Sequence, residues 1–239
     1  MNPCVALLGG SFDPVHAGHV ALAELFARLL HPDQLRIVPA GRPWQKSSLE
    51  ASDADRVAML ELAFAKEDFA VTIDLQEIER NGATYTIDTL RAVRAEAGPE
   101  ASIVFLMGAD QLHKLDTWRD WRALFEVANI GVAARPGFAL AAGQLPPAVA
   151  HELAARIGTA EEVRAAPNGR VCVAHTLAVD ISATQVRAAI RQENNANGLV
   201  APPVLDYIQQ HHLYKSYWIS KNCKRSSLTH SKTSRARKS

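Results

Sequence analysis

Short apolar runs alternate with amphipathic stretches along most of the chain. The runs are apolar at every position, as expected for strands buried on both faces, and the stretches between them repeat every three to four residues, as in helices. The predicted strands are residues 5–8, 35–38, 70–73, 103–107, 129–133 and 170–175. The predicted helices are residues 18–30, 53–65, 86–97, 146–157, 182–191 and 204–210, with one more including Trp121, Leu124 and Phe125. This alternation predicts an α/β fold with a doubly wound, mostly parallel sheet.

Composition supports a globular chain but divides it into two parts. The chain has 239 residues, 48% of them apolar and 21% charged, which excludes a wholly disordered or collagen-like protein. All 25 acidic residues precede Lys215, whereas eight of the 26 basic residues lie from Lys215 onward. A body of charge −7 is therefore followed by a tail of charge +8. We expect a single domain over 1–214 and a disordered basic extension over 215–239.

The cysteines and the apolar segments indicate the cellular setting. Cys4, Cys172 and Cys223 are far apart and form no CxxC pair, which argues against a disulfide framework or a zinc ribbon. Cys4 and Cys172 lie in predicted strands, so we expect buried, reduced thiols. No segment is typical of a membrane span or a signal peptide. The expectation is a cytoplasmic protein that does not associate with membranes.

The first candidate site is GGSFDPVHAGHV, residues 9–20, which follows the first strand and begins the first helix. Ligands of open α/β sheets bind beyond the carboxyl ends of the strands. Gly9 and Gly10 let the backbone approach an anion, and the helix entrance is predicted to present unpaired N–H groups. His16 and His19, three residues apart, can face the same phosphates. The pattern is neither GxGxxG nor GxxxxGK[ST], and no third residue stands at zinc-ligand spacing, so phosphate is the better partner.

The second candidate site is ISATQVR, residues 181–187, at the start of a later helix. Ser182 and Thr184 offer hydroxyl and backbone donors there, and Arg187 follows one turn later. These donors could hold a triphosphate. Taken alone, the segment is more typical of a Ser/Thr helix cap followed by a surface arginine.

Together the two segments resemble the (H/T)xGH nucleotidyltransferase superfamily, whose members transfer a nucleotidyl group from a nucleoside triphosphate on a Rossmann-like sheet. The resemblance implies that His16 and His19 contact the nucleotide phosphates and stabilise the pentacovalent transition state. ISATQVR is similar to the ISSTxxR signature that holds the β- and γ-phosphates of ATP, with Ala183 replacing the second serine. The implied ATP-binding residues are Gly9, Gly10, Ser11, Phe12, His16, His19, Gly108, Asp110, Ile181, Ser182, Thr184 and Arg187.

Three further segments resemble the bacterial nicotinate-nucleotide adenylyltransferases of that superfamily. GRPWQKSS (41–48) stands where relatives carry a PPHK-like run; Lys46 matches the lysine, and Gln45 replaces a common histidine. ATYTIDTL (83–90) is similar to SYT-x-x-TL, and MGADQLHKLDTW (107–118) is similar to GxDxLxxxxxW. The implied acceptor-binding residues are Asp13, Lys46, Tyr85, Thr86, Trp118 and Arg135. The implied catalytic residues are His16, His19, Lys46 and Arg187.

The resemblance also implies a reaction. An adenylyl group passes from ATP to nicotinate mononucleotide, giving deamido-NAD and pyrophosphate, with Mg²⁺ held mainly by the phosphates. In that family the tryptophan, here Trp118, stacks on the pyridine ring, and backbone amides near Tyr85, Thr86 and Trp118 receive the carboxylate. For Arg135, a position on the protein surface is as good an interpretation as a contact with the mononucleotide phosphate. Trp121 continues an apolar stripe, so we expect it in the core.

Other functions remain open at this point. The same chemistry could serve nicotinamide mononucleotide or phosphopantetheine, although phosphopantetheine enzymes are usually much shorter and lack the features around Tyr85 and Trp118. In a different class, a polyanion-binding protein could act through the basic tail, but the tail has no motif and the body is acidic. We expect small-molecule substrates, no specific nucleic acid, and a monomer or homodimer.

Overall fold

A computed structural model describes residues 2–43, 49–134, 145–175, 181–192 and 196–215. The strands are β1 (Cys4–Gly10), β2 (Gln34–Pro39), β3 (Val71–Ile73), β4 (Ser102–Gly108), β5 (Asn129–Ala134) and β6 (Val171–His175). They form one sheet of order β3-β2-β1-β4-β5-β6, and every neighbouring pair is parallel. The predicted doubly wound parallel sheet is confirmed.

Helices fill the connections between these strands. They are α1 (Ala17–Leu30), α2 (Asp53–Phe64), α3 (Gln76–Glu79), α4 (Thr86–Ala97), α5 (Ala109–Leu112), α6 (Leu124–Val127), α7 (Pro147–Ala154), α8 (Ala160–Ala165), α9 (Ala183–Arg191) and α10 (Pro202–Gln210). Two 3₁₀ turns, Leu115–Thr117 and Trp121–Ala123, precede α6. None of the helices in the described ranges is long and apolar enough to cross a membrane.

The sheet separates two apolar clusters, because side chains of each strand alternate between its faces. On one face, Ala6 and Leu8 of β1 pack with residues of α1 and α2 such as Phe26 and Met59. On the other, Val5 and Leu7 pack with residues of α4 and α6, including Val93, Leu124 and Phe125. Burial on both faces explains why the strands have no polar alternation.

Most boundaries agree with the sequence pattern, and the differences concern mainly short elements. The predicted helix around Trp121 is instead a 3₁₀ turn followed by the single turn of α6, although Trp121 itself is buried as expected. The predicted helix 146–157 ends at Ala154, and the short helices α3, α5 and α8 were not expected. Cys4 and Cys172 are free and buried, as predicted, whereas Cys223 and the rest of the tail beyond residue 215 lie outside the described residues.

The strand order places a crevice at the carboxyl end of β1. After β1, the chain forms β2 and β3 on one side of β1 and then β4, β5 and β6 on the other side. The connections therefore diverge at the carboxyl end of β1. Such a switch point is where open α/β sheets bind ligands. Because Leu8 pairs with Leu106, Gly10 and Gly108 end their strands side by side. Both lie in segments predicted to bind ATP.

Candidate active site

The two glycines that end β1 make room for aromatic rings. A Cβ on Gly10 would lie 3.0 Å from the ring of Phe12, and one on Gly9 would lie 3.2 Å from the ring of Phe105. Phe12 has a φ of +47°, in the left-handed region that non-glycine residues rarely adopt. The backbone therefore turns sharply after β1, and the structure adds a packing reason for glycine at both positions.

The two histidines of the first motif form a stacked pair. His16 is the N-cap residue of α1, and its N–H donates to Nδ1 of His19 at 3.2 Å. The ring centroids are 3.6 Å apart, and the centroid of the Phe12 ring lies 4.8 Å from that of His19, with the two rings nearly perpendicular. Burial lowers the pKa of His16 to about 4, so His16 is neutral at physiological pH. The two rings therefore lie together at the entrance of α1, and their contact with phosphates stays a prediction.

The entrance of α1 is less open than the sequence predicted. The backbone N–H of Ala17, the first residue of the helix, donates to the carbonyl of Leu199 at 2.9 Å. The prediction of unpaired N–H groups at this helix entrance is therefore wrong for Ala17. Leu199 belongs to the turn before α10, so the C-terminal part of the domain closes against the first motif.

The second motif caps a helix and also reaches the first motif. Ser182 is the N-cap of α9 and forms a reciprocal capping box with Gln185, so the cap interpretation is correct for this serine. Thr184 is exposed. Nη1 of Arg187 donates to the carbonyl of Asp13 at 2.6 Å across 174 positions of sequence. The two segments predicted to bind ATP are thus in direct contact.

Asp110 lies where β4 ends, next to the first motif. Asp110 is in the first turn of α5 and exposed, and its carboxylate accepts a hydrogen bond from the Gln111 side chain at 2.9 Å. A Cβ on Gly108 would lie 2.6 Å from Oδ1 of Asp110. Glycine at this strand end therefore lets the carboxylate fold back over the backbone at the edge of the crevice.

Of the residues predicted to bind the acceptor, Tyr85 and Trp118 pack against the apolar cluster on the face of the sheet that carries Val5 and Leu7. Tyr85 is the N-cap residue of α4, and Thr86 is its first residue. Trp118 is half-buried with its ring edge-on to Phe105 at 6.1 Å, and Phe105 also covers Gly9. The Trp118 N–H donates to the carbonyl of Leu115 at 3.0 Å, so this particular amide is already paired within the chain.

The loop after β2 is pinned beside Tyr85. A Cβ on Gly41 would lie 2.0 Å from the carbonyl oxygen of Glu77, so only glycine fits this close approach to α3. The Thr84 N–H donates to the carbonyl of Arg42 at 3.1 Å. The loop that carries Gln45 and Lys46 therefore starts next to the acceptor segment, although Gln45, Lys46 and Arg135 themselves lie outside the described residues.

Sequence reasoning missed two arginines that shape the site. The guanidinium of Arg119 lies 4.7 Å above the Tyr85 ring, next to Trp118. Arg56 of α2 is fully buried and donates to the carbonyl of Ser11 at 2.8 Å and to Asp53 at 2.7 Å. Arg56 was detectable in principle, because a charged residue on the apolar stripe of a predicted helix requires a buried partner.

The Asp13 side chain anchors the loop before α2, a contact that its motif did not indicate. Its carboxylate is buried and accepts backbone N–H groups of Glu50 at 2.8 Å and Ala51 at 3.0 Å. Its contact with the acceptor stays a prediction. As for metals, the described part of the chain holds no group of three or more His, Cys, Asp or Glu side chains able to bind an ion.

These features define a class of protein, a Rossmann-like nucleotide-binding protein with the residues predicted to face phosphate at the switch point of the sheet. A family model described as cytidylyltransferase-like matches residues 7–189. The chain is 58% identical over 213 residues to a protein of Herminiimonas arsenicoxydans, covering 89% of this chain and 97% of the relative. It is 46% identical over 212 residues to a protein of Laribacter hongkongensis, covering 89% and 94%. Both relatives are described as probable nicotinate-nucleotide adenylyltransferases. The chain therefore belongs to the cytidylyltransferase-like family, among its nicotinate-nucleotide adenylyltransferases.

Solved structures show the same fold. A nicotinic acid mononucleotide adenylyltransferase of Plasmodium falciparum, complexed with NaAD, has a TM-score of 0.68 at 19% identity, covering 89% of this chain and 98% of that one. The same protein complexed with APC has a TM-score of 0.67 at 18% identity, with the same coverage. At such identities the likeness concerns the fold alone.

Proposed function

We propose that the chain transfers the adenylyl group of ATP to nicotinate mononucleotide, giving deamido-NAD and pyrophosphate in NAD biosynthesis. The observation that carries the proposal is the contact between Arg187 and Asp13, which joins the two phosphate motifs at the switch point of the sheet. The relatives described as nicotinate-nucleotide adenylyltransferases support this choice of acceptor. Reduced, buried Cys4 and Cys172 agree with a cytoplasmic enzyme.

The reaction needs positioning and charge stabilisation rather than a covalent intermediate. A phosphate oxygen of the acceptor attacks the α-phosphorus of ATP, the bond from that phosphorus to the bridging oxygen breaks, and pyrophosphate leaves with the electron pair. Holding both substrates in line supplies much of the rate enhancement. Donors directed at the phosphorus oxygens stabilise the charge that develops there.

The histidine pair and Arg187 have different parts in this chemistry. Because burial lowers the pKa of His16 to about 4 in the free chain, His16 meets the nucleotide as a neutral hydrogen-bond donor. The positive charge at the phosphates comes from Arg187 and from Lys46, which the sequence predicts to be catalytic. Arg187 donates to the carbonyl of Asp13 and pairs with Glu50, which holds its positive charge beside the first motif. Mg²⁺, held mainly by the phosphates, supplies further charge neutralisation when bound.

The acceptor subsite favours a carboxylate over a carboxamide. The Trp118 ring offers an apolar plate for a pyridine ring, and its buried Nε1 has no hydrogen-bond partner among the described residues. Arg119 places a cation beside Tyr85 and the N-terminus of α4. Thr86, Asp13 and Arg135 complete the proposed acceptor contacts.

The test is product formation by the purified chain. ATP, nicotinate mononucleotide and Mg²⁺ should give deamido-NAD and pyrophosphate in equal amounts. His19→Ala should lower kcat/KM by about two to three orders of magnitude, the scale for loss of one preorganised donor. His151→Ala, an exposed histidine on α7, is the matched control and should behave as wild type. Unchanged kcat/KM in His19→Ala would remove that residue from the mechanism.

A further inference from the structure

Asp13, within the first motif, is the point at which three distant segments of the chain meet. Besides the backbone N–H groups of Glu50 and Ala51, its Oδ1 accepts a hydrogen bond from the hydroxyl of Tyr214 at 2.8 Å, across 201 positions of sequence. Its carbonyl accepts from Arg187. One residue of the phosphate motif therefore holds the loop before α2, the helix α9 and the C-terminal end of the domain.

Tyr214 is built to remain a hydrogen-bond donor in this position. Its side chain is buried, with 6% exposed, and burial together with the Asp13 carboxylate raises its pKa far above the usual value. Its φ of +61° lies in the left-handed region, a conformation that costs about 1 kcal/mol or more outside glycine. The surrounding packing holds the residue there, because Tyr214 belongs to the apolar cluster around α1 and α2.

The charges around Asp13 form a closed network. Nε of Arg187 lies 2.8 Å from Oε1 of Glu50, and Glu50 also pairs with Arg191 one turn further along α9. A buried carboxylate is costly unless donors satisfy it. Removing a donor from the Asp13 carboxylate therefore disturbs the residue whose backbone carbonyl binds Arg187.

The network is also directly coupled to the histidine pair. Asp13 follows Phe12, whose ring packs on Gly10 and against the ring of His19. His16 lies three residues beyond Asp13 and stacks on His19. A shift of Asp13 is therefore passed on to both histidines through a short, tightly packed segment.

We propose that Tyr214 is a positioning residue for adenylyl transfer: through its hydroxyl bond to Asp13, it fixes the first motif and Arg187 in one arrangement. The proposal rests on the proposed function for its catalytic readout. Tyr214 touches no substrate in this scheme. Its removal should therefore lower turnover while leaving substrate binding nearly unchanged.

The test compares two tyrosine-to-phenylalanine variants of the full chain. Tyr214→Phe removes only the hydroxyl that binds Asp13. Tyr207→Phe is the matched control, because the Tyr207 hydroxyl donates to Oδ1 of Asp55 on α2 at 3.0 Å, outside the motif. Tyr214→Phe should lower kcat by about ten- to a hundredfold, the scale for a misplaced reacting group, with KM for both substrates within about twofold. Tyr207→Phe should keep the wild-type kcat.

A second readout does not depend on activity. In NMR spectra of the free protein, the ring signals of His16 and His19 should move in Tyr214→Phe and stay in place in Tyr207→Phe. An unchanged kcat and unchanged histidine signals in folded Tyr214→Phe overturn the proposal, as does an equal loss of kcat in both variants. If the wild-type chain forms no deamido-NAD, the proposed function fails, and the histidine signals alone decide the role of Tyr214.

Discussion

His16 and His19 carry the same side chain but have different surroundings, and burial decides what each can do. His16 is buried at the N-cap of α1, whereas His19 is half-exposed one turn later. A histidine kept neutral can donate its ring N–H to a phosphate oxygen without the cost of burying a charge. The stacked geometry then presents both rings as one surface at the entrance of α1.

The buried state of His16 predicts a pH-dependent stability. In the unfolded chain His16 takes up a proton near pH 6.5, whereas in the folded chain burial lowers that pKa to about 4. Between these values the unfolded state binds more protons, so its stability relative to the folded state rises as pH falls. Wild type should lose up to about 3 kcal/mol more than His16→Asn between pH 7 and pH 4, measured by urea unfolding.

The matched control for this experiment is an exposed histidine. His151→Asn on α7 should follow the wild-type curve, because His151 is exposed. Parallel curves for wild type and His16→Asn across this pH range would contradict the assignment of a buried, neutral His16.

Arg119 should contribute to the choice between acid and amide acceptors. Its guanidinium lies beside Tyr85, where the carboxylate of the acceptor is expected. Arg119→Gln should raise KM for nicotinate mononucleotide by about two- to fivefold, because one exposed charge contributes about 0.5–1 kcal/mol. KM for ATP and for nicotinamide mononucleotide should not change.

Arg122→Gln provides the comparison for Arg119. Arg122 has a similar arrangement, 4.3 Å above the ring of Trp121, but it lies outside the proposed acceptor contacts. The variant should therefore keep all kinetic constants. Equal changes in the two variants would mean that general surface charge, and not the position of Arg119, sets KM.

At the scale of elements, the long helices and buried strands were predictable because each has a clear periodicity. The helix 86–97 has the predicted limits, and Ser182 caps α9, as its residue type indicated. The helices α3, α5 and α6 have four residues each, too few to show a period of 3.6. Tertiary contacts determine these short elements, and a local pattern does not carry that information.

In the candidate site, too, contiguous motifs were predictable from the sequence, whereas contacts between distant residues were not. The motifs containing His16, Arg187 and Trp118 were visible because each is a contiguous segment. The bonds from Arg56 to Ser11 and from Tyr214 to Asp13 join residues 45 and 201 positions apart, and no spacing rule connects such pairs. Their buried partners became evident only in the folded chain.

The loop between β2 and α2 depends on one glycine. Gly41→Ala places a Cβ on the carbonyl oxygen of Glu77, so the loop must move away from α3. Overpacking of this kind costs about 1–3 kcal/mol. Because Arg42 binds Thr84 next to Tyr85, the displaced loop should also raise KM for the mononucleotide acceptor. Steady-state kinetics and thermal unfolding measure the two effects.

A variant of similar stability separates loop displacement from simple destabilisation. Thr159 caps α8 by accepting the N–H of Glu162, and Thr159→Ala should cost about 1 kcal/mol. It should leave KM for both substrates unchanged, because α8 lies away from the proposed site. A wild-type KM in Gly41→Ala would show that the loop does not shape the acceptor site.

At the scale of the whole molecule, the charge of +1 combines an acidic body and a basic tail. We predict that deletion of residues 216–239 leaves kcat and KM unchanged, because all site residues precede Lys215. The deletion should abolish weak, salt-sensitive binding to DNA, measured by fluorescence anisotropy at low salt. Loss of adenylyl transfer on this deletion would contradict the prediction that the extension is dispensable for activity. A deletion that also removes Tyr214 should lower turnover.

The most direct test of the central claim compares three acceptors in one assay. Initial rates of pyrophosphate release are measured with ATP, Mg²⁺ and nicotinate mononucleotide, nicotinamide mononucleotide or phosphopantetheine. The account predicts the highest kcat/KM with nicotinate mononucleotide, a lower value with the amide, and no release above background with phosphopantetheine. Equal or faster release with phosphopantetheine, or no release with any acceptor, would contradict it.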